Sequence, residues 1–322
     1  MRRREFLAAT ASLPLLLAAC GEDTDEPAAG GPWRYTDDRG VKLALPEAPE
    51  RLVMHEYPVA ALWPYGVRPV GIFGSVAMDE QPLFAGYDLS GIESVGEAWA
   101  EINLESVAAL RPDLIVSTWW PGDGLGGMEN DKLAGKMEAI APTAGIHAQI
   151  PAMQTIERFR HFAAALGKDV DAPRIAAARK RCEEAIEAFK AAVRAKPGLR
   201  AMAVYADPEA FYVAKIGAYS DLREYQAWGL NLVGGRSSDP YWEQLSWENA
   251  DKYAADLLLH DARAWSPTLD DLAEIPVWRD LPAVNAGQLT PWHMEQAVGY
   301  DLFASHIEEL TGAIAQARVL NA

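Results

Sequence analysis

Asn103-Leu-Glu-Ser-Val-Ala-Ala-Leu-Arg-Pro-Asp-Leu-Ile-Val116 returns in outline as Trp247-Glu-Asn-Ala-Asp-Lys-Tyr-Ala-Ala-Asp-Leu-Leu-Leu259. In each copy a Glu, Glu105 or Glu248, stands eight residues before an Asp that opens an apolar run. The first part of each copy reads as a short helix with its acidic residue in the first turn, where the helix dipole favours it. The run after the Asp reads as a buried strand. A helix-to-strand unit that occurs once in each half of the chain predicts two similar α/β lobes.

Working outward, further strand-type runs are Arg51–His55, Pro69–Phe73, Asp113–Thr118 and Thr143–Ile146 in the first half. Arg200–Tyr205, Asp256–His260 and Gln288–Thr290 follow in the second. Helical patterns separate them, among them Val59–Tyr65, stopped by Gly66, and Ala297–Ala317. Between Met153 and Ala195 there is no strand signal, only two helices broken at Gly167 and restarted at Asp171-Ala172-Pro173. The expected fold is therefore α/β: two lobes with central parallel-type sheets joined by a long bridging helix. The expected boundaries are an N-terminal lobe over 33–151, a helical bridge region over 152–196 and a C-terminal lobe over 197–322. Cys182 shares a helical apolar stripe with Ile175, Ile186, Phe189 and Val193, which predicts a buried, inert thiol.

The N-terminus carries an address. Residues 1–20 read MRRREFLAATASLPLLLAAC: an arginine cluster, an apolar run too short to span a membrane, then small residues. This is the layout of a secretory signal peptide over 1–19. Arg3-Arg4-Glu5-Phe6-Leu7 also fits the twin-arginine pattern, and Leu17-Ala18-Ala19-Cys20 resembles a bacterial lipobox that would make Cys20 the lipidated first residue. Cys20 to Pro32 is acidic and rich in Gly, Ala and Pro, so it reads as a flexible tether. Residues 1–19 carry three Arg and one Glu, so the remaining chain has a net charge of −19 against −17 for the whole. Such acidity excludes nucleic acid as a partner.

Catalytic motifs are missing. Gly122-Asp-Gly-Leu-Gly-Gly127 lacks the Lys and spacing of a phosphate loop, and there is no nucleophile elbow or paired-His zinc motif. The six His are scattered; His55, His147, His260 and His293 fall near strand ends, which leaves direct metal capture open, with His55 as its first candidate ligand. Aromatic residues instead gather at the carboxyl ends of strands, where open α/β sheets bind ligands. Tyr57, Trp119, Trp120, Tyr205, Tyr212 and Trp292 follow strands, as does Trp265, while Trp99 and Tyr241-Trp242 precede the two Glu-bearing helices. They predict a wide aromatic cleft, with Arg263 and Lys215 as charged candidates for its floor.

The order and spacing of Tyr35-Thr-Asp-Asp-Arg-Gly40, Pro49-Glu-Arg-Leu-Val53, Asn103–Val116, Leu245-Ser-Trp-Glu248 and Trp278-Arg-Asp-Leu-Pro-Ala-Val284 resemble the ferric-siderophore and cobalamin-binding proteins of bacterial ABC importers. Phe211-Tyr-Val213, Tyr219–Arg223 and Leu245–Tyr253 look most like actinobacterial lipoproteins for hydroxamate siderophores of the desferrioxamine type. The resemblance implies a non-enzymatic receptor with no cofactor, whose ligand is an Fe(III)-siderophore; a monomer is expected, and the strand-end aromatics Tyr57, Trp99, Trp119, Trp120, Tyr205, Tyr212, Trp242 and Trp292, with Arg263, are expected to hold the ligand. It implies that Glu105 and Glu248 dock on Arg residues of a permease served by a cytoplasmic ATPase. It also implies little lobe closure and no protein ligand to the metal. Gly96–Asn103 lacks the Arg that hydroxamate binders often place there, so Arg263 becomes the candidate iron-facing cation. Cobalamin or haem on the same fold, direct metal-ion capture and a surface hydrolase are the competing readings.

Overall fold

The computed structural model describes residues 32–128 and 131–320, so the signal sequence, Cys20 and nearly all of the tether lie outside the described residues. In chain order the first half contains β1 (Trp33–Thr36), β2 (Lys42–Leu45), β3 (Leu52–His55), α1 (Glu56–Leu62), β4 (Gly71–Phe73), β5 (Glu93–Gly96), α2 (Leu104–Ala109), β6 (Leu114–Trp120), β7 (Gly124–Leu125), α3 (Asp131–Glu138) and β8 (Thr143–His147). Helices α4 (Ala152–Ala165) and α5 (Pro173–Ala195) follow. The second half contains β9 (Arg200–Ala206), β10 (Phe211–Ala214), α6 (Ser220–Ala227), β11 (Asn231–Leu232), β12 (Trp242–Leu245), β13 (Leu257–Asp261), α7 (Leu269–Ala273), α8 (Pro276–Asp280), α9 (Pro282–Asn285), β14 (Leu289–Trp292) and α10 (Tyr300–Gln316).

The fold is two α/β lobes. In the first sheet β5, β4, β3, β6 and β8 run parallel in that spatial order, and β7 folds back against the end of β6. The second sheet is mixed rather than parallel. Its order is β12-β10-β9-β13-β14, with β10 antiparallel to both neighbours and β11 parallel to the start of β9. The reason is the short connection from Ala206 to Phe211, which allows only a hairpin, since a parallel crossover needs a dozen or more residues.

The repeated unit has one hydrogen-bonding logic. Asp113 N–H donates to Arg51 O at 2.8 Å and its carboxylate accepts Arg51 N–H at 2.8 Å. Asp256 N–H donates to Arg200 O at 2.7 Å and its carboxylate accepts Arg200 N–H at 2.7 Å. Each Asp thus stitches its own strand to the first residue beside the neighbouring strand. The second Glu-bearing element differs from expectation: Trp247–Asn249 is a single 3-10 turn. Just beyond it, Lys252 Nζ and Tyr253 OH donate to Glu243 on β12, which also accepts Arg236 N–H at 2.6 Å. Those hydrogen bonds, Lys252 first, hold the Glu243 carboxyl at about 2.

One core runs through both lobes. Leu52 and Met54 of the first sheet, Phe159 and Phe162 of α4, Cys182 and Phe189 of α5, and Leu257 and Leu259 of the second sheet form a continuous buried cluster. Helix α5 lies along α10, which starts at Tyr300 rather than at Ala297. Cys182 is buried within this cluster, and burial pushes its thiol up to about 12, out of reach of ordinary thiol chemistry.

Candidate functional site

The carboxyl ends of both sheets face a cavity of about 660 Å³, within the range that encloses a compact organic ligand. The first lobe supplies His55 at the end of β3, Tyr57 at the start of α1, Trp99, Thr118 and Trp120 of β6, and the turn Asp123–Met128. The second supplies Tyr219, Tyr241, Trp242, Arg263, Trp265, Met294 and Glu295. Two indoles stand at the mouth, one per lobe, Trp99 at 51% and Trp265 at 47% exposure. Trp99 sits on a tight turn in which Ala100 takes a left-handed conformation (φ 62°) and Ala98 bridges Glu101. Across the cleft Tyr241 OH donates to Asp123, and Trp120 meets the Tyr241 ring edge-on at 6.0 Å.

Of the residues expected in the cleft, Tyr57, Trp99, Trp120, Tyr241, Trp242, Arg263 and Trp265 line the cavity. Four do not. Trp119 alternates to the other face of β6 and meets His147 edge-on at 4.9 Å. Trp292 is core, 2% exposed, and its indole N–H donates to Asp221 at 2.7 Å. Burial raises that Asp221 carboxyl to about 6, against the pull of the Trp292 hydrogen bond. Tyr205 and Tyr212 form a second row of rings: Tyr205 lies 6.2 Å from Trp242 and 5.9 Å from Trp265, so it buttresses the wall. Lys215 is elsewhere, its ammonium donating to Ser237 O beside a separate polar depression.

Arg263 is no free cation. Its Nε and Nη2 bind Asp261 at 2.9 and 2.6 Å, and its guanidinium lies 4.0 Å over the Trp265 ring. Burial opposes its charge, but Asp261 and Glu295 outweigh that and raise its pKa. Glu295 accepts from Tyr57 OH at 3.0 Å, and burial raises its own pKa. The cavity therefore has aromatic walls and one internally compensated Arg–carboxylate group, with no surplus positive charge for an anionic ligand. Glu295 and Met294 escaped sequence reasoning because they follow β14 in an irregular segment, with Glu295 left-handed (φ 66°), where no periodicity marks a position. The only advance signal was their place just beyond Trp292-His293.

Glu105 and Glu248 are both exposed. Asn103 caps α2, its side chain accepting the N–H groups of Glu105 and Ser106 at 3.1 Å. Glu105 follows β5, and Glu248 follows β12, which runs in the direction of β9 because both are antiparallel to β10. Each carboxylate thus lies at the carboxyl end of its sheet, on the side where the cleft opens.

The model of the family described as periplasmic binding protein matches residues 87–295. The chain is 25% identical over 258 residues to the Fe(3+)-citrate-binding protein YfmC of Bacillus subtilis, covering 80% of this chain and 77% of that one. It is similar in structure to DesE, a ferric-siderophore receptor protein from Streptomyces coelicolor, with a TM-score of 0.83 and 31% identity over 89% of this chain and 99% of that one. A siderophore periplasmic binding protein from the fuscachelin gene cluster of Thermobifida fusca shares the fold at a TM-score of 0.61 and 22% identity, covering 84% of this chain and 97% of that one.

Proposed function

We propose a task for this protein from one premise: the chain belongs to the periplasmic binding protein family. It is the extracytoplasmic substrate-binding component of an ABC importer, and not an enzyme. Its cargo is a ferric siderophore, and specifically a ferric hydroxamate of the desferrioxamine type. The carrying observation is the aromatic interlobe cavity whose single Arg is already paired with Asp261. A ferric trihydroxamate core is neutral, so it enters such a cavity without an uncompensated charge. A strongly anionic ferric catecholate would meet Asp123, Asp261 and Glu295 instead. The iron arrives already chelated; among the described residues no group of three or more His, Cys, Asp or Glu side chains is placed to hold a metal ion.

Tyr57, Trp99, Trp120, Trp242 and Arg263 make direct contact in this reading, with Tyr219, Tyr241 and Trp265 beside them. Walls from both lobes of one chain complete the site, which supports a monomer. Titration of intrinsic tryptophan fluorescence tests the cargo. Ferrioxamine B should quench saturably, whereas ferric catecholate, cobalamin, haem and bare ferric ion should not. Tight binding of any of these four with no response to ferrioxamine B would refute the assignment.

Glu105 and Glu248 are the proposed permease contacts, one per lobe. Charge-assisted pairs with Arg are directional enough to fix register. We also assign a lipid to Cys20, with export directed by residues 1–19 through the twin-arginine pattern. No helix among the described residues is long and apolar enough to cross a membrane. The proposed lipid would retain the protein at the outer face of the cytoplasmic membrane. Cys20→Ala should move the protein from the membrane pellet to the soluble fraction; a variant that still pellets would contradict the anchor.

A further inference from the structure

The cavity wall of the first lobe carries two polar groups with nothing to bond to. His55 is 0% exposed, and neither ring nitrogen has a hydrogen-bond partner among the described residues. Its nearest carboxylate oxygen, on Glu56, stands 3.9 Å from Nε2, beyond hydrogen-bond reach, and that carboxylate already accepts from Ser75 and Gln81. The Thr118 hydroxyl, on β6, is equally buried and equally unpartnered among the described residues. Both residues line the cavity. Native interiors rarely leave such groups unsatisfied, and two in one wall point to a partner from outside the protein.

Among the described residues, the opposite wall of the cavity holds no fully buried polar atom that lacks a partner. There Arg263 is taken by Asp261, and Glu295 by Tyr57.

We propose that His55 and Thr118 are the specificity-determining pair of the cleft, donating hydrogen bonds to a carbonyl-type oxygen of the bound complex. This rests on the ferric-hydroxamate reading and names the residues that would recognise the ligand. The chemistry suits a neutral cargo: burial among Tyr57, Phe73 and Trp99 disfavours the imidazolium, so His55 offers one N–H and one lone pair. The oxygen could belong to a metal-bound hydroxamate or to an amide of the siderophore backbone. The local backbone is built around the pair. A Cβ at Gly126 would stand 2.6 Å from Thr118 Oγ1, and one at Gly127 would stand 3.0 Å from the His55 ring. For a ligand oxygen to reach the pair, this turn, which carries no side chain at either position and is held to β6 by the Gly126 N–H and carbonyl, would have to shift.

His55→Phe and Thr118→Val keep shape and remove the polar atoms. Fluorescence titration with ferrioxamine B should give about tenfold weaker binding for each, the worth of one hydrogen bond. Thermal unfolding of the ligand-free variants should show a Tm equal to or above that of the original protein, because an unsatisfied buried group has been removed. Ferric tris(acetohydroxamate), which lacks backbone amides, locates the oxygen. Weakened binding of both complexes places it on the hydroxamate, and weakened binding of ferrioxamine B alone places it on the amide. Unchanged affinity in both variants overturns the proposal, as does a lowered Tm in both, which would mean that the groups have partners inside the protein. A shift of the ferric-hydroxamate visible band on binding that His55→Phe abolishes would make His55 an iron ligand, and also overturns it. Failure of the original protein to bind either complex would instead sink the cargo assignment itself.

Discussion

Glu105→Ala/Glu248→Ala should abolish ferric-siderophore uptake by intact cells and leave ligand affinity unchanged. Both carboxylates are exposed and lie outside the cavity, so the substitutions remove two surface charges without touching the cleft. Glu105 is held by the Asn103 cap rather than by its own side chain, so α2 keeps its start when the carboxylate is lost. At a protein–protein interface, losing one partner of a desolvated charge pair costs about 2–5 kcal/mol. Two such losses would take a micromolar receptor–permease contact beyond any useful concentration. Each single variant should retain partial uptake. Normal transport by the double variant, measured with radio-iron at saturating siderophore, would eliminate the docking role.

Trp99→Ala/Trp265→Ala should weaken binding of the ferric siderophore about 100-fold, with each single change accounting for about tenfold. The two indoles line the cavity from different lobes and are about half exposed, so their removal leaves the core intact. Loss of Trp265 also strips Arg263 of the ring it lies against, but Asp261 still holds the guanidinium at two points. Tm should therefore change little while Kd rises. Equal affinity in the double variant, by quenching of the remaining Trp residues, would move the binding site away from this cavity.

The frame of the fold was legible because its signals are local. The Glu-to-Asp spacing marks two Asp residues that perform the same backbone stitch in both sheets, a match that sequence spacing alone suggested and Asp113 and Asp256 make physical. Gly167 and Pro173 bracketed α4 and α5 because glycine and proline act on their own backbone. The β1–β2 hairpin was invisible as structure, although Tyr35–Gly40 carried part of the family resemblance. Its turn is held from afar, with Asp37 accepting Gly145 N–H at 2.8 Å and Arg39 reaching Thr143. The sites were legible in kind but only partly in detail. Strand ends predicted aromatic walls, yet whether Trp119 or Trp120 faces the cavity depends on the pleat of β6. Trp292 was lost to the core by a partner, Asp221, that no spacing announces. His55 drew notice as a candidate metal ligand, but its lack of partners appears only once the chain is folded.

The buried cluster that runs unbroken from Met54 through Phe159 and Phe189 to Leu259 bears on traffic at the transporter. Lobes fused by shared apolar packing cannot hinge far without opening that packing to water. Glu105 and Glu248 would then keep nearly the same separation whether or not cargo is aboard. A permease that gauges only this span would accept vacant receptors as readily as laden ones, and the two would compete for the same berth. Import would then climb with receptor abundance only while laden copies predominate. Beyond that point, each surplus copy of the protein would slow the very route it serves.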